Sequence, residues 1–197
     1  MISNDEDLSR LQAFKNAAAS IDFDQVFPDQ VFCGEWQGFL FFQSDYVFAP
    51  EFVDFVKEIL EVELGSMACI VNLDKTEAYE IHQAALLFIN EETDQRQYME
   101  ALRGDGPADG WLYAMDRFIC TSDVGRWCVY CEKSNDVAVV GLRDIPSGNA
   151  LDVALGRVHA KPIEVLLKDG ASPQFPFDRL IPAWRQGLVE NYGRCEP

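Results

Sequence analysis

Two cysteines separated by two residues, Cys128 and Cys131, have the most specific chemical spacing in this sequence. Such a pair can bind zinc together with a second ligand pair, or it can carry thiol redox chemistry when it opens a helix. The surrounding segment RWCVYCE is typical of a β-strand, where residues three apart point to opposite faces, so the two thiols cannot meet. The only histidines, His82 and His159, are not close in sequence to another histidine or a cysteine. We therefore expect no metal site and no redox pair.

A second candidate is the glycine-rich stretch GDGPADG, from Gly104 to Gly110, which resembles a dinucleotide-binding loop. Its third glycine comes one place late, and the stretch follows a predicted helix where the fingerprint requires a preceding strand. Asp105 and Asp109 would also repel a pyrophosphate. We interpret the stretch as a turn.

A third candidate is the pair Asp22 and Asp24, which matches the first two ligands of an EF-hand calcium loop. Val26 takes the place of the third ligand, and Cys33 takes the place of the closing glutamate. Calcium binding is therefore not expected.

Catalysis would need a site assembled from residues that are distant in sequence. The chain has no G-x-S-x-G elbow, no phosphate-binding Walker loop and no H-E-x-x-H pair. Cys120, His82 and Asp116 could still converge in a folded site, and sequence spacing leaves that alternative open. We expect a protein that is not an enzyme and that uses no cofactor.

The charge distribution is the most informative feature of the sequence. The net charge is −17, and residues 1–100 carry 20 acidic and 5 basic side chains, against 13 and 11 in residues 101–197. This sign disfavours nucleic acid and anionic membrane surfaces, which are themselves negative. A one-sided acidic excess favours a cationic protein partner, although the same charge can serve solubility alone.

The predicted elements alternate between helices and strands. Helices are predicted over residues 5–20, from Pro50 to a stop at Gly65, over residues 92–103, near Ala150, and in a final helix ending at Gly193. Strands are predicted at GFLFFQ, SMACIVNL, AALLFIN, RFICTS, RWCVYCE, VAVVGLR and IEVLL, with a hairpin across Lys133 to Asp136. Strands in direct succession predict an α+β fold, a mainly antiparallel sheet with helices packed on it.

Length and composition predict one globular domain over residues 1–197, because 197 residues with 48% apolar side chains suffice for one core. The longest apolar run, Ala84 to Ile89, is far shorter than a membrane span, and the N-terminal sequence MISNDEDLSR lacks the basic start of a signal peptide. The six cysteines lie mostly in apolar runs and are predicted to be free thiols. We expect a cytoplasmic protein.

The stretch from Asp116 to Arg143 contains the segment WCVYCE at residues 127–132 and VAVVG at residues 137–141. It resembles the tryptophan-plus-tyrosine hairpin of several families of small bacterial immunity proteins. These proteins neutralise the toxins of interbacterial competition, including polymorphic toxin systems. The resemblance implies an inhibitor that binds its partner toxin.

The resemblance and the charge together lead to one functional hypothesis: an acidic immunity protein that blocks the active site of a cationic toxin. We expect the toxin to be a nuclease. Trp36 would be the aromatic anchor, although a core tryptophan is the alternative. On the second helix, a row of acids (Glu51, Asp54, Glu58 and Glu61) forms either a solvated face or part of the docking surface. An enzyme with a dispersed site and a non-catalytic scaffold or adaptor subunit remain alternatives. The expected partner-binding residues are Asp22, Asp24, Asp29, Glu35, Trp36, Asp45 and Glu51.

Overall fold

A computed structural model describes residues 4–75, 86–104, 110, 116–168 and 181–193. Six strands form one antiparallel sheet, in the spatial order β1-β6-β5-β4-β2-β3. The strands are β1 (Gly38–Gln43), β2 (Ala68–Asn72), β3 (Leu86–Ile89), β4 (Arg117–Ser122), β5 (Trp127–Glu132) and β6 (Val137–Leu142). The helices are α1 (Asn4–Ser20), α2 (Glu51–Glu63), α3 (Gln95–Arg103), α4 (Asn149–Arg157), α5 (Ile163–Lys168) and α6 (Pro182–Tyr192). The predicted α+β fold is confirmed.

The sheet separates two apolar layers because successive residues of a strand face opposite sides. On one side, Trp127, Val129 and Cys131 of β5 pack with α2, α3 and α4. On the other side, Cys128 and Tyr130 pack with α1, α5, α6 and the segment between α1 and β1. Every residue of β5 is buried, so this strand lies at the centre of both layers.

The helix α2 follows the predicted periodicity. Pro50 precedes its first turn, and its buried face is the predicted apolar stripe. The helix ends at Leu64, which adopts the left-handed conformation that glycine usually takes at this position. The buried side chains of the predicted stripe are Phe52, Phe55, Val56, Ile59 and Leu60.

Helix α3 begins three residues later than predicted, because Asp94 caps its N-terminus. The Asp94 carboxylate accepts a hydrogen bond from the Gln97 backbone N–H at 2.7 Å, and the Gln97 side chain accepts one from the Asp94 N–H.

The predicted hairpin is confirmed, with β5 and β6 joined by a turn in which Asp136 takes a φ of 56°.

The prediction of a strand at IEVLL is wrong, since these residues form most of the short helix α5. The backbone N–H groups of Val165 and Leu166 bond to the carbonyl of Pro162. Ile163 and Leu166 are buried three residues apart, which is the spacing of a helix face. These five residues include four apolar side chains, two of them β-branched, and fit a strand equally well, and Pro162 before them was the signal for a helix start.

Candidate functional site

An acidic groove of about 840 Å³ lies where three distant parts of the chain meet. One wall is the start of α1, another is the second half of α2, and the third is the turn that follows β3. The segment that leads into β2 closes the groove between them. The lining residues are Asp5, Glu6, Ser9, Lys57, Glu58, Leu60, Glu61, Leu64, Gly65, Ser66, Met67, Asn90, Glu91 and Glu92.

The charge of this groove is strongly one-sided. Six carboxylates line it against one cation, Lys57, whose ammonium donates a hydrogen bond to the Thr93 carbonyl at 3.2 Å. Glu6 pairs with Arg10, and Glu58 pairs with Arg157, each at 2.7 Å. These two pairs offset part of the charge of the groove.

Four groove carboxylates remain without an ion pair within the described ranges of the chain: Asp5, Glu61, Glu91 and Glu92. All four are exposed. They stand on all three walls, Asp5 on α1, Glu61 on α2 and the other two on the turn after β3. The groove therefore offers unpaired negative charge on each of its walls.

Hydrogen bonds hold the turn after β3 in a fixed shape. The side-chain oxygen of Asn90 accepts bonds from the backbone N–H groups of Glu92 and Thr93, both at 3.1 Å. The Thr93 hydroxyl also donates to this oxygen, at 3.0 Å. The Asn90 side chain thus closes the turn by hydrogen bonds to the backbone and side chain that follow it, and it sets the positions of Glu91 and Glu92.

A second network joins α1 to the segment before β2. Asp123 accepts hydrogen bonds from the Ser66 backbone N–H at 3.0 Å and from its hydroxyl at 2.5 Å. The Ser66 hydroxyl lies 2.9 Å from that of Ser9 on α1. The walls of the groove are therefore tied to each other through side chains of different elements.

Leu64 stands at the rim of the groove with 90% of its surface exposed. Its φ of 61° and ψ of 36° place it in the left-handed region, which costs a residue other than glycine about 1–2 kcal/mol. The conformation is fixed by hydrogen bonds from the Leu64 N–H to the Glu61 carbonyl and from the Gly65 N–H to the Leu60 carbonyl. The backbone of Leu64 is therefore fixed, and its exposed apolar side chain stands in an acidic setting.

Gly65, which follows Leu64, is closely packed. A Cβ atom at position 65 would lie 3.0 Å from the Leu60 side chain, 3.1 Å from the Asp123 carboxylate and 3.2 Å from the Glu63 carboxylate. A side chain at this position would force these three neighbours to shift, so glycine fits here best.

A smaller hollow of about 290 Å³ adjoins the groove across Ser9. It is lined by one face of α1 and by Asp123, and it carries a second exposed leucine, Leu8, at 61% exposure. The acidic groove and this hollow form one continuous depression with two exposed leucines along it.

The carboxylate of Glu63 lies beneath the groove and belongs to the core. It is 3% exposed and accepts a hydrogen bond from the Trp127 indole N–H at 2.6 Å and one from the Arg126 backbone N–H at 3.3 Å. Burial raises the pKa of Glu63, and the nearby Asp123 carboxylate adds to that effect. Its role is to fix the end of α2 to the start of β5.

None of the seven residues predicted to bind a partner lines this groove. Asp24 and Asp29 are exposed and flank Phe27, whose backbone N–H bonds to Glu132 at the last residue of β5. Asp22 lies exposed on the same segment. The groove instead lies at the end of the sheet where β5 begins. These three acids therefore belong to a different surface.

Asp45 and Glu51 are exposed as well, and neither reaches the groove. Asp45 follows the last residue of β1 and accepts a hydrogen bond from Gln43 at 3.3 Å. Glu51 is the first residue of α2, ten residues before Glu61 and so about 15 Å away along the helix axis.

Glu35 and Trp36 precede the first residue of β1. Four strand spacings, about 19 Å, separate β1 from β2 beside the groove. The Trp36 indole N–H bonds to the Cys33 carbonyl at 2.9 Å, and the Arg143 guanidinium lies 3.7 Å from its ring centre. Trp36 is thus half-buried and packed against its own chain.

The chemistry-bearing motifs have the following places in the structure. Cys128 and Cys131 face opposite layers of the core, as predicted from strand alternation. Cys120 is fully buried, and burial raises the pKa of its thiol well above the usual range, so it does not present a nucleophile. His82 and the loop of residues 105–109 lie outside the described residues.

The cysteines within the described ranges are all free thiols, which confirms the prediction for residues 33, 69, 120, 128 and 131. Asp22 and Asp24 form a local turn, in which the Asp22 carboxylate accepts the Asp24 backbone N–H at 3.0 Å. In the part of the chain that the structure describes, no three histidine, cysteine, aspartate or glutamate side chains cluster as metal ligands would.

The chain matches no protein family, no curated protein and no solved structure. Among the helices of the described residues, none is both long enough and apolar enough to cross a bilayer. The acidic groove is therefore the feature on which a functional argument can be based.

Proposed function

We propose that this chain is a cytoplasmic inhibitor of the immunity-protein type, which binds a cationic toxin and blocks its active site. A nuclease is the toxin class that fits best. The observation that carries the proposal is the groove with six carboxylates and one lysine, each of whose three walls holds an acid without an ion pair.

A nuclease binds the phosphates of its substrate with lysine and arginine side chains, so its active site is positively charged. Carboxylates on all three walls of the groove present negative charge to the cations with which such a site binds phosphate. Opposite charges also steer the encounter and raise the association rate toward about 10⁸–10⁹ M⁻¹s⁻¹ at low salt. An inhibitor that must act before its toxin cuts nucleic acid needs this speed.

The apolar part of the groove supports a protein partner over a small anion or cation. Leu60 and Met67 are buried beneath the carboxylates, and Leu64 rises at the rim. Protein interfaces combine an apolar centre with a polar and charged rim, and the groove has both parts.

The first prediction compares two surfaces at equal change of charge. One variant carries Glu61→Lys, Glu91→Lys and Glu92→Lys in the groove, and its matched control carries Asp22→Lys, Asp24→Lys and Asp29→Lys on the segment before β1. Each raises the net charge from −17 to −11. We expect the groove variant to bind the toxin at least about 100-fold more weakly, and the control to stay within about threefold of wild type.

The measurement begins with capture of partners from lysate of the native host at low salt, followed by mass spectrometry. The captured protein is then purified, and its hydrolysis of a fluorescent oligonucleotide is followed with each variant added at equimolar concentration. Wild type and the control should abolish hydrolysis. Hydrolysis that continues in excess wild type would refute the inhibitor function, and loss of inhibition by the control alone would move the contact to the segment before β1.

A further inference from the structure

The exposed leucine at the rim of the groove points to a more specific partner. Exposed apolar side chains are ordinary when they stand singly on a convex surface. Leu64 differs because it borders a concave surface with an apolar floor, and because it is the most exposed of the large apolar side chains in the described residues, at 90%. The next apolar groove side chain toward the sheet, Met67, is only 3% exposed.

The rigid placement of Leu64 favours a role in binding. Two hydrogen bonds hold its backbone in the left-handed conformation, so little backbone freedom remains to be lost when a partner covers it. Aliphatic contact is also available beyond the groove, since Leu8 is exposed in the adjoining hollow. The two leucines are exposed apolar side chains of one depression, whose groove is acidic and whose hollow also carries Lys15.

The charge on the walls around Leu64 determines what can contact it. Glu58 and Glu61 stand on the α2 wall, Glu91 and Glu92 on the turn after β3, and Asp5 and Glu6 on the α1 wall. An occupant that contacts Leu64 therefore lies among carboxylates of different walls, which favours cations on more than one side of it. A basic amphipathic helix has this arrangement, with an apolar stripe bordered by lysine and arginine, and helix-in-groove binding is a common mode of recognition.

We infer that the groove receives a basic amphipathic helix of its protein partner, with Leu64 as the apolar anchor of the contact. This inference rests on the proposed function, because it names the part of the cationic partner that the inhibitor binds. Nucleic acids and anionic lipid surfaces carry the wrong sign for the same walls.

The test is isothermal titration of the full chain with two peptides of equal length, about 14 residues, which suffices for helix formation on binding. One is an amphipathic helix of leucine and lysine, and the other is oligolysine. Wild type should bind the amphipathic peptide at least about tenfold more tightly than oligolysine. Leu64→Asn should reduce the affinity for the amphipathic peptide to that for oligolysine and leave the affinity for oligolysine unchanged. Asparagine is chosen because it tolerates the left-handed conformation.

Two further variants separate the possible failures. Val153→Asn removes an apolar side chain, 47% exposed, from α4 outside the groove and should change neither affinity. Unchanged binding of the amphipathic peptide by the Leu64→Asn variant would overturn the anchor and leave the proposed function standing. If neither peptide binds wild type more tightly than the triple groove variant, the groove does not bind cations and the proposed function fails with the inference.

Discussion

Three consecutive residues at the end of α2 have separate roles. Glu63 is buried and bonds to the Trp127 indole, Leu64 is exposed at the groove, and Gly65 fits where a Cβ atom would press on Leu60 and Asp123. The first and third of these residues stabilise the fold. Leu64 alone contributes no burial and adopts a backbone conformation that is unfavourable for leucine.

Replacing Leu64 by glycine should therefore stabilise the protein. Relief of the left-handed conformation is worth about 1–2 kcal/mol, and the greater freedom of glycine in the unfolded chain removes part of that gain. We expect the free energy of unfolding in urea to rise by about 0.5–1 kcal/mol. The same substitution at Leu8, exposed on the helix α1, should lower it by up to about 1 kcal/mol. Equal or lower stability of the Leu64→Gly variant would show that its side chain supports the fold.

At the scale of elements, the segment between α1 and β1 is held by the last helix. The Tyr192 hydroxyl of α6 accepts a hydrogen bond from the Val31 backbone N–H at 2.9 Å and donates one to the Asp29 carbonyl. Its ring lies against those of Phe27 and Phe32 at centroid distances of 5.6 and 6.1 Å. One side chain thus fixes the segment that carries Asp22, Asp24 and Asp29.

Tyr192→Phe should destabilise the protein by about 1–3 kcal/mol, because the N–H of the fully buried Val31 would lose its partner. Thermal unfolding measures the loss, and hydrogen exchange at the Val31 amide locates it. Tyr46→Phe, at a half-buried site on the turn before α2, is the matched control and should leave the exchange of Val31 unchanged. Wild-type protection of Val31 in the Tyr192→Phe variant would show that the hydroxyl does not hold this segment.

Elements with a clear periodicity could be predicted from the sequence, and the groove could not. The stripe from Phe52 to Leu60 predicts α2 directly, since every third or fourth residue must be buried. The five residues of IEVLL carry too little periodicity to separate a helix from a strand. Glu61 and Glu91 line the same groove only because β2 and β3 are neighbours in the sheet. No short stretch of the sequence predicts that pairing.

The predicted partner-binding residues do not coincide with the groove. Asp29, Glu35 and Asp45 are close in sequence, but β1 separates Glu35 from Asp45 along its length. Of the predicted row on α2, only Glu58 and Glu61 line the groove. Acids that are close in sequence stay close in space along a helix face and are carried apart along a strand, so sequence alone does not show which acids share a surface.

At the scale of the whole molecule, the charge asymmetry of the sequence becomes an asymmetry of the surface. All six groove carboxylates come from residues 5–92, within the half that carries most of the acidic excess.

Two further carboxylates are buried at the two ends of β5. Glu63 bonds to Trp127, the first residue of the strand, and Glu132 is the last, where it accepts bonds from Phe27, Tyr130 and Asn135.

These buried acids predict how stability depends on pH. Burial raises the pKa of both Glu63 and Glu132 above the ordinary value of 4.5, so between that pH and their raised pKa values the folded state holds more protons than the unfolded state. Their contribution to stability is complete below pH 4.5 and is lost as pH rises through the raised pKa values.

We expect the double variant Glu63→Gln and Glu132→Gln to gain stability relative to wild type as pH rises from 4.5 to neutrality, measured by urea unfolding across that range. Glu51→Gln with Glu190→Gln, at two exposed sites, makes the same change of net charge and is the control. If the difference between the buried double variant and wild type does not change with pH, the two carboxylates do not titrate in this window.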